Sequence, residues 1–365
     1  MNWEDNVRRV DPYVAGEQPK DPQIIKLNTN ECPYPPAPGV ADAARQLEKD
    51  YGRLRLYPDM NAQPLTDALA KRYGVKAEQV FVGIGSDDVL AMAFLTFFTS
   101  GKRLLFPNIT YSFYDVWAEL YRIPYTMVPL REDFTIDPEN YVPGSASYQG
   151  DEEKGGGIIF PNPNAPTGVE LPLSDIERIT AANPDKVVIV DEAYVDFGAV
   201  SALPLINRYE NLLVVQTFSK SRAMAGARIG FAIGNEKLIH YLKDVKFSFN
   251  SYTMNLQTIQ MGTAAVEDED YFQEITGKIR QTRTWFAGEL TRLGFVYPES
   301  KTNFIFARHP EHSGQELFEQ LRREHICVRH WNKPLIQDYL RITIGTREQM
   351  EKVVLALEKI LAADH

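Results

Sequence analysis

Apolar positions along this chain follow two rhythms. Between residues 79 and 233 short apolar runs recur. They are Gln79–Gly83, Arg103–Phe106, Tyr125–Val128, Gly156–Phe160, Lys186–Val190, Leu212–Val215 and Ile229–Ile233. Each is brief, partly β-branched or aromatic, and closed by polar or turn residues, which predicts buried strands. Stretches of helical spacing lie between them, at Leu65–Tyr73, Val89–Thr99, Tyr111–Tyr121 and Pro172–Ala182, after a first helix over 39–51. Short apolar strands separated by helices predict a parallel sheet covered on both faces.

From about residue 256 the rhythm changes. A long helical pattern covers Tyr271–Leu293. It is followed by a strand at Asn303–Phe306, a helix at Gly314–Glu324, strands at Cys327–Arg329 and Leu340–Ile344, and a helix at Arg347–Leu361. Without the steady strand–helix alternation, this part reads as a smaller α+β domain. Residues 1–38 are rich in proline and read as an arm, with Lys26–Glu31 as a short edge strand. Leu54–Asp59 reads as an extended loop, because Pro58 drives Tyr57 out of the α region. The expected organisation is an arm (1–38), a large domain (39–255) and a small domain (256–365).

Composition narrows the class. A chain of 365 residues, 44% hydrophobic and 24% charged, is an ordinary globular protein long enough for two cores. A net charge of −10 argues against a nucleic-acid surface. No apolar run approaches the ~18 residues that span a bilayer, and Met1-Asn2-Trp3-Glu4-Asp5 lacks the features of a secretory signal. Cys32 and Cys327 are too few and too far apart for a disulfide framework or a zinc site, and the histidines show no metal-ligand spacing. The expectation is a cytoplasmic protein that needs no metal, membrane or nucleic acid.

Ligands of open parallel sheets bind outside the carboxyl ends of the strands, so the residues placed there carry the chemistry. Lys220 leaves the Leu212–Val215 strand on a loop, between two buried runs. Desolvation there favours the neutral amine, which can form a Schiff base with an aldehyde. Ser219 beside it and Arg228 further on offer a hydroxyl and a fixed cation to a phosphate. Taken alone, the stretch reads equally well as a solvated loop carrying three basic residues. Gly85-Ser86-Asp87 opens a helix whose free amides suit a phosphate. Tyr111 can stack on a flat ring, and Asn164 supplies an amide donor within the turn Pro161–Gly168. Asp191 follows so apolar a strand that its charge is costly unless paired with a cation. Tyr194 lies three positions on, and each of these residues also has an ordinary structural reading by itself. Together they supply what pyridoxal 5′-phosphate needs: partners for an aldehyde, a ring nitrogen, a flat ring, a phenolic oxygen and a phosphate.

The set resembles the fold-type I pyridoxal-phosphate aminotransferases, and within them the histidinol-phosphate branch. The markers run over nearly the whole chain. They are Pro12-Tyr13, Leu27–Glu31, Leu56-Tyr57-Pro58-Asp59, Gly85-Ser86-Asp87, Pro163–Gly168, Asp191–Tyr194, Thr217–Lys220 with Ala225–Arg228, and Leu340-Arg341-Ile342. Cys32 and Ala165 stand where the family often has asparagine, and Asn108-Ile109 precedes Thr110-Tyr111 where a proline is usual.

The resemblance implies a three-layer α/β/α large domain with a mainly parallel sheet, and a smaller α+β domain. It implies that Lys220 holds the cofactor aldehyde and then moves the substrate proton, and that Asp191 keeps the pyridine nitrogen protonated. Tyr194 and Asn164 would bond the phenolic oxygen, and Tyr111 would stack on the ring. Ser86, Asp87 (through backbone amides), Ser219 and Arg228 would hold the phosphate. Tyr57 would reach the cofactor phosphate of a partner subunit, so a homodimer is implied. Tyr13, Asn30, Arg329 and Arg341 would bind substrate anions, namely the α-carboxylate of glutamate and the phosphate of histidinol phosphate. The implied reaction exchanges an amino group between histidinol phosphate and 2-oxoglutarate, a step of histidine biosynthesis. An aromatic transaminase, or a decarboxylase of a phosphorylated amino acid, is an alternative on the same fold. An idle cofactor-binding regulatory module is a remoter one, disfavoured by the acidic charge and by the lack of a helix-turn-helix segment before the arm.

Overall fold

The computed structural model describes residues 2–151 and 155–362. In chain order it contains β1 (Ile25–Lys26), α1 (Pro38–Lys49), α2 (Gln63–Tyr73), β2 (Val80–Gly83), α3 (Ser86–Phe97), β3 (Leu104–Pro107), α4 (Tyr114–Tyr121) and β4 (Tyr125–Val128). Next come β5 (Gly157–Pro161), α5 (Leu173–Ala182), β6 (Val187–Asp191), β7 (Leu212–Thr217), β8 (Gly230–Gly234), α6 (Glu236–Phe249), α7 (Leu256–Glu267) and α8 (Glu269–Arg292). The last are β9 (Phe304–Ala307), α9 (Gly314–Arg323), β10 (Ile326–Cys327), β11 (Arg329–His330), β12 (Leu340–Thr343) and α10 (Arg347–Ala362).

Seven strands form one sheet in the order β2-β8-β7-β6-β5-β3-β4. The pairs from β7 through β4 are parallel, while β8 runs antiparallel to both β7 and β2. Successive side chains of a strand point to opposite faces. Val188 and Val190 therefore join a core with Leu65 and Leu69 of α2 and Ile176 and Ile179 of α5. Ile189 joins the opposite core, with Phe94 of α3, Trp117 of α4 and Leu242 of α6. These two apolar layers on either side of one sheet make the α/β/α sandwich that the pattern predicted.

A three-stranded antiparallel sheet, β11-β12-β9, and the parallel pair β1-β10 form a second centre. Its core takes in Phe286 of α8, Leu317 of α9, Leu357 of α10 and Phe304 of β9. Leu27 from the arm and Tyr194 from beside the large sheet belong to the same core. Helix α7, which begins at the expected boundary of 256, puts Ile259, Ala265 and Val266 into the core under the large sheet. We propose that the smaller unit starts near residue 268 instead, with α8 bridging the two.

The structure corrects several local readings. The run Cys327–Arg329 is not one strand: it divides at Val328, where β10 pairs with β1 and β11 pairs with β12. Only Ile25–Lys26 of the arm is strand, and the chain turns away at Asn30, whose φ is +57°. The helix expected from Tyr111 starts at Tyr114. Tyr51–Arg55 forms a 3₁₀ turn, so the extended stretch begins at Leu56. Helix α6, between the last strand of the large sheet and α7, was not read from the sequence at all. Among the described residues no helix is long and apolar enough to cross a membrane.

Candidate active site

Two connected cavities open at the carboxyl ends of the parallel strands. The inner one, of 160 Å³, is lined by Ser86, Asp87, Tyr111, Asp191, Tyr194, Ser219, Lys220 and Arg228, among others. The outer one, of 210 Å³, shares Tyr111, Tyr194 and Lys220 and adds Tyr13, Asn30, Arg329, Trp331 and Arg341. Lys220 therefore stands where the two meet.

Asp191 ends β6 at the inner cavity and is only 4% exposed. Its carboxylate accepts hydrogen bonds from the Tyr114 hydroxyl (2.8 Å) and the Ala193 amide (3.2 Å). Neither partner is a cation, and burial pushes the carboxyl up to about 6. An anion held in this way is poised for a cationic group arriving from the cavity. Tyr114 was not anticipated as a site residue. On sequence alone it is one aromatic of an amphipathic helix, and its partner lies 77 positions away.

The Lys220 ammonium donates to the Thr29 carbonyl (3.0 Å). Burial above all, helped by Arg341 and opposed by Glu31 and Asp87, lowers its pKa to about 8. A minority of the amine, far larger than for an ordinary lysine, is thus neutral and nucleophilic near physiological pH. Neighbouring Tyr194 accepts from Asn30 Nδ2 (2.8 Å) and meets Phe304 edge-on at 5.1 Å between ring centres. Asn30 is fixed in turn by the Thr343 hydroxyl, which donates to Oδ1 (2.9 Å), and by Asn303, which donates to its carbonyl (3.0 Å).

At the far end of the inner cavity, Gly85 precedes α3 with φ +96°. A side chain there would collide with the Arg228 guanidinium, and one at Gly230 would collide with the Ser86 amide. The backbone amides opening α3, the Ser219 hydroxyl and Arg228 thus close around a space fit for an anion. The expectation that Asp87 acts through its backbone alone is incomplete. Its side chain accepts from Arg228 (3.2 Å) and from the Tyr111 hydroxyl (2.8 Å), orienting both.

Asn164 departs from its expected role. Its amide already donates to the Ile109 carbonyl (2.9 Å) and the Thr167 hydroxyl (3.0 Å), and the residue lines neither cavity. Its remaining polar atom, Oδ1, is an acceptor, buried and without a partner. Tyr57 is also absent from both cavities of its own chain: it is 81% exposed and stacks on Tyr252 at 4.6 Å.

The outer cavity is cationic. Arg329 and Arg341 face each other across β11 and β12, and both guanidinium groups lie over the Trp331 ring, at 5.3 and 5.2 Å. Among the described residues neither has a carboxylate partner. Arg341 donates to the Asn28 carbonyl (2.8 Å), while its Nε and Asn28 Oδ1 stay buried and unpaired. Two adjacent cations without a counter-ion repel each other unless an anion joins them. Tyr13 lines the same cavity and stacks on Phe113 at 4.1 Å.

The buried carboxylate, the desolvated lysine and the anion-fitting turn, set at the carboxyl ends of a mainly parallel sheet, fit pyridoxal 5′-phosphate. The chain belongs to the class I and II aminotransferases, whose family model matches residues 22–357. It is an enzyme of that class, and its cofactor is pyridoxal 5′-phosphate. More particularly, it is 50% identical over 361 residues to histidinol-phosphate aminotransferase 1 of Bordetella parapertussis, covering 99% of each chain. It is 51% identical over 360 residues to the histidinol-phosphate aminotransferase of Aromatoleum aromaticum, covering 98% of this chain and 99% of that one. In fold it matches the crystal structure of the histidinol-phosphate aminotransferase of Sinorhizobium meliloti in complex with pyridoxal-5′-phosphate. The TM-score is 0.83 at 22% identity, over 93% of this chain and 91% of that one. Family membership sets aside the idle regulatory module.

Proposed function

We propose that this protein is a cytoplasmic, homodimeric histidinol-phosphate aminotransferase that exchanges an amino group between histidinol phosphate and 2-oxoglutarate in histidine biosynthesis. The observation that carries the substrate choice is the pair Arg329 and Arg341, adjacent, without a carboxylate partner among the described residues and open to the cavity that ends at Lys220. One arginine suffices for a carboxylate. Two side by side suit a dianionic phosphate as well, and the planar guanidinium binds such groups through paired hydrogen bonds.

The cofactor, when bound, supplies an aldehyde and a ring that withdraws electrons from the substrate's Cα bonds. Asp191 would hold the ring nitrogen protonated, with Tyr114 and the Ala193 amide fixing the carboxylate. Ser86, Asp87, Ser219 and Arg228 would grip the phosphate, and Tyr111 would lie against the ring. Tyr194, oriented by Asn30, would donate to the phenolic oxygen. Lys220 would hold the aldehyde and, once released, carry the proton away from the substrate Cα. Arg341 would anchor both substrate anions, while Arg329 and Tyr13 would add the contacts that select the phosphate.

A site built for charged hydrogen bonds rejects analogues that leave them unpaired. The kcat/KM for histidinol phosphate is therefore expected to exceed that for histidinol or phenylalanine by at least roughly 10²-fold, the scale of two charge-assisted hydrogen bonds. Arg329→Ala should erase most of that gap and harm the glutamate half-reaction less, whereas Arg341→Ala should damage both. Steady-state rates with the three amino donors decide the matter: phenylalanine matching histidinol phosphate would replace this reading with an aromatic transaminase.

The dimer rests on Tyr57, exposed and remote from its own cavities. If it serves a partner's phosphate, a Tyr57→Ala chain and a Lys220→Ala chain complement each other. Refolded together in equal amounts, they should restore about one site in four, as random pairing of two kinds of subunit requires. A mixture no more active than its parents, or an active monomer by sedimentation, would refute the shared site.

A further inference from the structure

Lys246, on α6, is a buried cation that touches neither cavity. It is 4% exposed, yet its ammonium donates to the Val82 carbonyl (3.1 Å) and reaches the Met60 carbonyl (3.4 Å). The rings of Phe81 and Phe247 lie 5.3 and 5.9 Å from it. Val82 belongs to β2, the edge strand of the large sheet, and the turn from Gly83 to Ser86 follows it directly. The same turn is tied from its other side. Asp88, in the first turn of α3, accepts from the Ile84 amide (3.0 Å). Met60 lies a few residues beyond Tyr57, in the segment leading to α2.

An ammonium removed from water costs several kcal/mol unless its surroundings replace the lost solvation. Here two carbonyls, two aromatic faces and a nearby carboxylate do so. Burial still lowers Lys246 to about 8, with Asp88 and Asp59 favouring the charge and Lys243 opposing it. The charge therefore persists at neutral pH, between Asp88 and the end of β2. An apolar residue of the same length would fill the space without holding either carbonyl.

We propose that Lys246 is a positioning residue for cofactor binding: by holding the Val82 and Met60 carbonyls to α6, it fixes the Gly83–Ser86 turn in the form that receives a phosphate. The proposal rests on the reading that the Ser86–Arg228 end of the inner cavity takes the cofactor phosphate. Its effect should fall on the phosphate-dependent part of cofactor affinity. The aldehyde and ring contacts, made by Lys220, Asp191 and Tyr111, should be spared.

The test titrates apoenzyme with pyridoxal 5′-phosphate, with pyridoxal, which lacks the phosphate, and with inorganic phosphate by calorimetry. In Lys246→Met the preference for pyridoxal 5′-phosphate over pyridoxal should fall by at least roughly tenfold, the scale of one charge-assisted contact. Phosphate binding should weaken in parallel, and pyridoxal affinity should hardly move. Lys246→Arg should retain most of the preference, and Lys246→Leu, apolar and unable to donate, takes the place of the Met variant if that fails to fold. Leu242→Ala, a buried change on the same helix, controls for general loosening: it should lower the thermal midpoint and leave the preference intact. Arg228→Ala tests the underlying reading. If it abolishes the preference while Lys246→Met behaves like Leu242→Ala, the role of Lys246 is overturned and the phosphate site stands. If Arg228→Ala leaves the preference unchanged, the phosphate site is misplaced and the role of Lys246 falls with it.

Discussion

Lys220→Ala is expected to fold like the parent and to lose turnover by roughly 10⁴-fold or more, the scale on which removal of a combined nucleophile and proton carrier is felt. The fold should survive because the substitution removes a desolvated cation whose protein contacts are few: one hydrogen bond to the Thr29 carbonyl and the face of the Tyr194 ring, whose centre is 5.9 Å away. Borohydride reduction of the loaded wild type should fix the cofactor covalently on Lys220 and leave the variant unlabelled. A reduced adduct mapped to a different lysine would refute the assignment. The pH dependence has a fixed sign. The folded-state pKa of Lys220 lies near 8, below the ordinary lysine value of 10.5, so the neutral amine gains population as pH rises toward and through 8. Association of apoenzyme with the aldehyde should accelerate over that range and level off above it. By linkage, the unfolded chain binds the extra proton between about 8 and 10.5, so this group makes the native apoenzyme more stable as pH rises through that window. The Ala variant should lack that gain.

Asp191→Asn should move stability and activity in opposite directions. In the apoenzyme the carboxyl is raised from 3.8 to about 6 by burial, so its charged form is disfavoured in the fold. The unfolded chain binds fewer protons than the native one between those values, so this group's contribution falls as pH climbs through them, and the penalty is complete above about 6. At about 1.4 kcal/mol per unit, the cost at neutral pH is up to about 3 kcal/mol. An amide keeps the shape and removes the charge, and the Tyr114 hydroxyl can turn to accept from it. Apo Asp191→Asn should therefore melt later than apo wild type at pH 7, with the advantage fading as pH falls from about 6 to about 4. Loaded with cofactor the order should reverse, because the wild-type carboxylate then has a cation to pair with. Turnover should fall by roughly 10- to 10²-fold or more, since a lost charge-assisted bond costs about 1.5–3 kcal/mol and the electron-withdrawing ring is needed most in the transition state. Melting curves of both forms and single-turnover rates measure all three effects. An unchanged kcat would remove Asp191 from its role, and an apoenzyme destabilised at pH 7 would show that the buried charge is compensated by something other than the cofactor.

The inner cavity was largely legible in the sequence because its residues follow the strand ends directly. Asp191, Ser219, Lys220 and the Ser86 turn each sit within a few residues of an apolar run, so reading the runs places them at one edge of the sheet. Their second partners were not legible. Tyr114 reaches Asp191, and Asn30 reaches Tyr194 across 164 positions, by routes that exist only once α4 and the arm have docked. Asn164 shows the same limit: its position in a turn said that an amide was available, and only the packed loop shows its N–H groups engaged by the Ile109 carbonyl and the Thr167 hydroxyl.

What the sequence determined by itself, then, is whatever depends on local periodicity: the strands, most of the helices between them, and the strand-end loops that carry Lys220 and Asp191. These follow from alternation and turn chemistry, which act over a few residues. The tertiary structure alone decided which strand pairs with which, as in the reversal of β8 and the division of the chain at Val328 between two sheets. It also decided where α7 packs, the juxtaposition of Arg329 with Arg341, and the burial of Lys246 behind the Gly83–Ser86 turn. Those outcomes are set by contacts between elements distant in sequence, where burial and electrostatics act through space and leave no local pattern to read.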